Sequence, residues 1–204
     1  MNVLCHRGFW LNPDEKNSTT AFKRAFDLGL GTETDIRDLN GEIVISHDPP
    51  LTGVMTFRDF LNLVPKGCLL ALNVKSDGIA EKAIFELKKA NHINFFFFDM
   101  SVPDMQFYIK QRLPIAVRCS EYEPWVTGSS NQTNIIWLDM FESQWYVLDD
   151  IVKLIEAGMS VYVVSAELHG MDHHVQWELL EQLKFYDGIT LCTDYPLEAL
   201  EYFS

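Results

Sequence analysis

The chain has 204 residues, 48% of them hydrophobic and 22% charged, which is ordinary composition for a globular domain with a large core. No apolar run is long enough to span a membrane. The N-terminal "MNVLCHRGFW" lacks the basic start and long apolar stretch of a signal peptide, so a cytoplasmic protein without membrane insertion is expected. A net charge of -13 argues against nucleic acid and anionic membrane as partners, because both need a basic surface.

In chain order, "NVLC" reads as a strand followed at once by His6-Arg7-Gly8, and "STTAFKRAFDLG" as a helix from Ser18 to Gly29. "GTETDI" is a second strand, with Glu33, Asp35 and Arg37 on one face. It runs into a hairpin, "IRDLNGEIVISHD", that turns at Asn40-Gly41 and returns to His47-Asp48. After the helical "TFRDFLNLV", the strand "LLALNVK" ends on Asn73 and Lys75, two apart and so on one face. "GIAEKAIFELKKAN" is helical, "INFFFF" is a strand buried on both faces, and "PDMQFYIKQR" is helical again. "PIAVR" carries Arg118. The stretch between it and "NIIWLD" is rich in Gly, Ser and Asn, so a helix there is expected to be reduced or missing. Asp139 follows "NIIWL", and a helix is expected from Ser143 to Gly158. "SVYVVSA" with Ser165, the helical "DHHVQWELLEQLKFY", "GITLC" with Thr193-Asp194, and the helical "PLEALEYF" complete the chain.

Eight alternating strand and helix units suggest an α/β fold, a TIM-type (β/α)8 barrel. It would be compact, with an extra β-hairpin after strand 2 and the whole of 1–204 as a single domain. An open doubly wound sheet is the structural alternative, but no glycine fingerprint follows the first strand. The four cysteines (Cys5, Cys68, Cys119, Cys192) lack paired metal spacing and read as buried thiols in a reducing compartment. His173 and His174 fall at a helix start, where adjacent residues point in different directions, which argues against a shared metal. Trp10 and Trp125 lie in loops near strand ends and suit either a substrate pocket or surface packing.

Chemistry in such a barrel sits at the C-terminal ends of the strands. Glu33 and Asp35 would stand roughly 7 Å apart, from a rise of ~3.3 Å per residue. Lining a barrel mouth, such a pair is unfavourable without a cation, and hard oxygen ligands suit magnesium or calcium. His6 and His47 would supply a base and an acid suited to neutral pH, and Arg7 and Lys75 would bind an anion, best a phosphate. Together these parts describe phosphoryl transfer from a diester.

The runs "HRG", "NSTTAF" and "ETDIRDLNGEIVISHD" resemble the N-terminal signature of the glycerophosphodiester phosphodiesterases, and "YDGITLCTDYP" resembles that family's final strand motif. The resemblance implies a barrel holding a divalent cation, Mg2+ or Ca2+, on Glu33 and Asp35. It makes His6 and His47 the acid/base pair and gives phosphate contacts to Arg7 and Lys75, with a small-molecule phosphodiester as substrate. Three departures stand out. Asn73 replaces a third metal-binding carboxylate, Lys16 precedes Asn17 where the family has glutamate, and the stretch from His47 to Asn73 lacks the insertion that caps the pocket. An amide oxygen still coordinates a hard cation but brings no charge. Asp139 or Glu121, at later strand ends, are candidates for the missing carboxylate. The expected function is metal-dependent phosphodiester hydrolysis. A phosphate-ester-binding barrel with weak or lost catalysis, and a lyase-like relative that releases a cyclic phosphate, stay open beside it. The sequence does not set the oligomeric state.

Overall fold

The computed structural model describes residues 1–50, 52–123 and 133–204. Among these residues, nine strands and seven α-helices follow one another in the expected alternation. The strands are β1 (Asn2–His6), β2 (Gly31–Leu39), β3 (Glu42–Ile45), β4 (Leu70–Val74), β5 (Phe95–Phe98), β6 (Ala116–Cys119), β7 (Ile135–Leu138), β8 (Ser160–Val164) and β9 (Ile189–Thr193). The helices are α1 (Thr19–Asp27), α2 (Phe57–Leu61), α3 (Ala80–Lys89), α4 (Val102–Lys110), α5 (Leu148–Glu156), α6 (His173–Glu181) and α7 (Pro196–Tyr202). The strand order is β5-β4-β2-β1-β9-β8-β7-β6, with β3 paired to β2 alone, and the fold is a (β/α)8 barrel. The expected reduced helix and Trp125 fall on 124–132, outside the described residues.

The chain groups into two compact units, Cys5–Ile115 and Met1–Leu4 with Ala116–Ser204. In the first, β2, β4 and β5 pair in parallel, setting Asp35 opposite Asn73 and Asn73 opposite Phe98. The two faces of these strands are chemically distinct. Ile36, Leu70, Leu72, Val74 and Phe97 join Phe22 of α1, Phe57 and Phe60 of α2, Ala83 of α3 and Tyr108 of α4 in one apolar cluster. Each large side chain fully buried there contributes about 1.5–3 kcal/mol. Glu33, Asp35 and Asn73, which alternate with that set, occupy the other face. Phe96, Phe97 and Phe98 are buried on both faces as expected, with Phe95 half-buried, Phe97 against Tyr108 at 5.1 Å and Phe96 beside Phe98 at 6.1 Å. The hairpin turns at Asn40 (φ 50°) and Gly41 (φ 80°), two left-handed residues whose twist suits adjoining strands. Ser18 caps α1, its side chain accepting from the Ala21 N–H at 3.2 Å.

In the second unit β6, β7, β8 and β9 are parallel neighbours in turn. Helix α5 starts at Leu148 and not at Ser143. Tertiary contacts hold the preceding segment out of the helix. Trp145 Nε1 donates to the Asp139 carbonyl at 2.8 Å, and the buried Tyr146 hydroxyl accepts from Gln176 at 2.7 Å. The helix then begins where Asp150 accepts the Val147 N–H at 3.0 Å. The four cysteines are all thiols: Cys5, Cys119 and Cys192 are buried and Cys68 is half-buried. No helix of the described residues is long and apolar enough to cross a membrane.

Candidate active site

Strand β1 leaves the core at Cys5 and must turn within three residues toward α1. Arg7 (φ 58°) and Gly8 (φ 83°) make that turn in the left-handed region. At Gly8 no other residue fits, since a Cβ would lie 2.7 Å from the Ala21 carbonyl carbon. The turn is pinned to β2 by the Arg7 N–H on the Glu33 carbonyl (3.0 Å) and the Gly8 N–H on the Thr32 hydroxyl (2.9 Å). It therefore delivers the Arg7 side chain to Asp35, with Nε 2.8 Å from Oδ2.

Asp35 is fully buried and gathers three partners. Besides Arg7, Asn17 donates to Oδ2 at 2.9 Å, and Lys75 Nζ stands 3.5 Å from Oδ1. Asn17 is itself oriented by the Thr34 hydroxyl, which donates to its Oδ1 at 2.8 Å. Glu33 is equally buried, and His6 Nε2 lies 3.9 Å from its Oε2. Burial pushes the Glu33 carboxyl up to about 8, and the neighbouring Asp35 charge adds to the rise against the opposing pull of Arg7 and Lys75.

Three oxygens in this cluster, Glu33 Oε2, Asp35 Oδ1 and Asn73 Oδ1, are buried without a hydrogen-bond partner among the described residues. Leaving even one such group buried is costly. All three are hard oxygen donors, two from carboxylates and one from an amide, so the set fits magnesium or calcium.

His47 stands apart from that cluster. Its side chain is half-exposed, with Nδ1 2.9 Å from the Asp48 carboxylate. It borders a cavity of about 780 Å³ that Arg7, Lys16, Asn17, Ser18 and Asp59 also line. Among the described residues, α2 is the one helix between His47 and Asn73. Lys16 rests over the Trp10 ring, 4.5 Å from its centre, which gives Trp10 a packing partner. The contacts thus join His6, Arg7, Glu33, Asp35 and Lys75, register adds Asn73, and the cavity joins His47 to Arg7.

Comparison with solved structures finds the same architecture. A glycerophosphodiester phosphodiesterase from Parabacteroides distasonis is 16% identical, with a TM-score of 0.75 over 99% of this chain and 96% of that one. One from Thermotoga maritima is 16% identical, with a TM-score of 0.72 over 98% and 97%. An Oleispira antarctica phosphodiesterase, in complex with the product sn-glycerol-3-phosphate, is 15% identical, with a TM-score of 0.75 over 99% and 96%. The chain has the fold of the glycerophosphodiester phosphodiesterases. No family model matches the sequence, and no curated protein does either.

Within this phosphodiesterase fold, one carboxylate whose charge acts on Glu33 and which strand spacing did not mark is Asp99, the residue after β5. Its charge also raises the Glu33 carboxyl. Strand alternation alone would send Asp99 to the helix side with Phe97, but its left-handed backbone (φ 65°) breaks the alternation. The available signal was an aspartate closing the aromatic strand "FFFF", next in register to Asn73. Asp139 and Glu121, the two carboxylates considered from sequence, are engaged within their own unit. Asp139 bonds Arg118 and His169, and Glu121 accepts the Phe141 and Glu142 N–H groups on Oε1 at 2.8 Å each, while its Oε2 has no hydrogen bond among the described residues.

Proposed function

We propose that this protein is a divalent-cation-dependent phosphodiester hydrolase acting on a glycerophosphodiester or a related small phosphodiester. The observation that carries this reading is the set of three buried oxygens without a hydrogen bond among the described residues, on Glu33, Asp35 and Asn73, beside two cationic side chains and a histidine. The product bound to the Oleispira phosphodiesterase supports glycerol phosphate as the chemistry recognised. Glu33, Asp35 and Asn73 would hold Mg2+ or Ca2+, and Asp99 would supply the charge that an amide at 73 lacks. The bound cation supplies Lewis-acid polarisation of the phosphoryl group.

The chain's own residues do the rest. Arg7 and Lys75 hold the phosphoryl oxygens, both cations being already placed by Asp35. His6 takes the proton from a substrate glycerol hydroxyl as its oxygen bonds phosphorus. His47 gives a proton to the departing alcohol oxygen as that phosphorus–oxygen bond breaks. With Asp48 on Nδ1, Nε2 is left as the working nitrogen of His47, and its half-exposed ring recovers a proton from water. The cyclic phosphate is opened by water, with the two histidines exchanging roles.

The test is turnover of glycerophosphodiesters by purified protein with Mg2+, Ca2+ or Mn2+, followed by phosphorus NMR. A glycerol phosphate product is expected. A folded sample that is inert under all three metals overturns the reading. Asn73 favours a second reading, a phosphate-ester-binding barrel with weak or lost catalysis. Under it, phosphate esters raise the melting temperature without product, and Asn73→Glu restores turnover. An accumulating cyclic phosphate would mark the reaction as lyase-like. The four thiols support a reducing, cytoplasmic setting.

A further inference from the structure

Helix α6 opens with Asp172-His173-His174, and the two histidine rings do not diverge as neighbours on a helix are expected to. They stack, with centroids 4.3 Å apart and planes 26° from parallel. Donor atoms of Asp172, His173 and His174 all lie within 4.8 Å of one another. Across from them, α7 presents Glu198. Its Oε1 is 3.2 Å from His173 Nε2 and 4.0 Å from His174 Nε2.

We propose that His173, His174 and Glu198 form a second metal site, selective for a divalent transition metal such as zinc. Bonds of about 2.0–2.1 Å in tetrahedral geometry place neighbouring donors about 3.3 Å apart. The two histidine-to-glutamate distances bracket that spacing, and because imidazole donates in its own plane the exposed His174 ring would turn out of the stack to share an ion with His173. Asp172 completes the arrangement from behind, its Oδ1 2.7 Å from His174 Nδ1. A carboxylate on one ring nitrogen fixes the tautomer and leaves the other nitrogen as donor, as in carboxylate–histidine–zinc triads. Here the nitrogen so left, Nε2, is the one facing Glu198. His173 is fixed by packing, buried against Trp177 at 4.4 Å and Tyr195 at 5.3 Å.

Helix capping and an ion pair between α6 and α7 account for only part of this. Asp172 caps α6 through the His174 N–H at 3.0 Å, and His173 with Glu198 ties the two helices. The His174 ring is 62% exposed yet held at Nδ1 by Asp172 and turned toward Glu198, beyond what the cap needs. Glu178 adds a third carboxylate charge acting on that ring, so the surroundings favour a cation. Two imidazoles and one carboxylate suit zinc, cobalt or nickel, whereas the all-oxygen set on Glu33, Asp35 and Asn73 suits magnesium or calcium. The two sites should therefore load independently.

Calorimetric titration of the full chain with zinc chloride, in excess magnesium, tests this, with the visible absorption of added cobalt reporting coordination. One zinc per chain is expected, together with a rise in melting temperature. His174→Gln and Glu198→Gln should each weaken zinc binding at least about tenfold, and both positions are exposed enough for the fold to survive. Asp172→Asn keeps the helix cap but not the carboxylate, and should weaken zinc about ten- to a hundredfold with the cobalt spectrum retained. Glu33→Gln should leave zinc binding unchanged. No zinc uptake by the wild type, uptake indifferent to both His174→Gln and Glu198→Gln, or uptake lost in Glu33→Gln would overturn the proposal.

Discussion

Asp139, which follows β7, and Asp35, on β2, are both buried aspartates, and their surroundings differ in one respect. Asp139 has both oxygens engaged, Oδ2 by Arg118 at 3.0 Å and Oδ1 by His169 at 2.8 Å and the Met140 N–H at 2.9 Å. Glu167, after β8, is treated the same way by the hydroxyls of Ser165 and Thr193 and the Asp194 N–H. Asp35 keeps Oδ1 without a hydrogen bond, and Glu33 beside it keeps Oε2 so. Asp139 and Glu167 are thus satisfied by their neighbours and tie loops together. Glu33 and Asp35 are offset in part by the charges of Arg7 and Lys75, and their unbonded oxygens leave a cost that an added cation would relieve.

The largest expected effects lie on the reaction. His6→Ala and His47→Ala should each slow diester turnover by about 10²–10⁴-fold with an unchanged circular dichroism spectrum. A stability comparison breaks the contrast between these two sets of carboxylates most directly. Asp139→Asn should destabilise the protein by about 1–3 kcal/mol in urea unfolding, since Arg118 and His169 lose a charged acceptor. Glu33→Gln should have the opposite sign above neutral pH, raising the metal-free melting temperature.

A pH series sharpens the same point. Below about 4.5 the folded and unfolded chains both carry the Glu33 proton, and above about 8 neither does. Between these values the folded state binds more protons, so metal-free stability should fall as pH rises through that window. Magnesium or calcium should flatten the fall, as should Glu33→Gln, and thermal melts at several pH values read this out. The smallest effects concern the amide. Asn73→Glu should tighten magnesium binding and Asp99→Asn should loosen it, each measured by calorimetry.

Much of this was legible from pattern. The hairpin was carried by Asn40-Gly41, and the burial of Phe96, Phe97 and Phe98 on both faces by an unbroken apolar run. Glu33 and Asp35 were marked by their spacing on one strand, because period two places them on one face whatever surrounds the strand. What escaped depended on backbone departures and distant packing. Asp99 closes β5 on a left-handed backbone, and no local rule assigns that to aspartate. The start of α5 moved because Trp145 and Tyr146 bond to residues far along the chain. The stacking of His173 on His174 is set by Trp177, Tyr195 and Glu198, which helix periodicity alone does not bring to bear.

Strand β2 and its hairpin partner carry a further implication. Glu33 and Asp35 lie on β2 and His47 follows two residues after β3, joined through the turn at Asn40-Gly41, with Ile36 opposite Ile45 and the Ser46 N–H on the Asp35 carbonyl at 3.1 Å. The register of β2 on β3 therefore fixes where the returning chain delivers His47 relative to the carboxylates. Lengthening the turn by one residue would shift every rung and carry His47 to the opposite side of the ribbon. The turn acts as the site's ruler, although it contributes no atom to the chemistry.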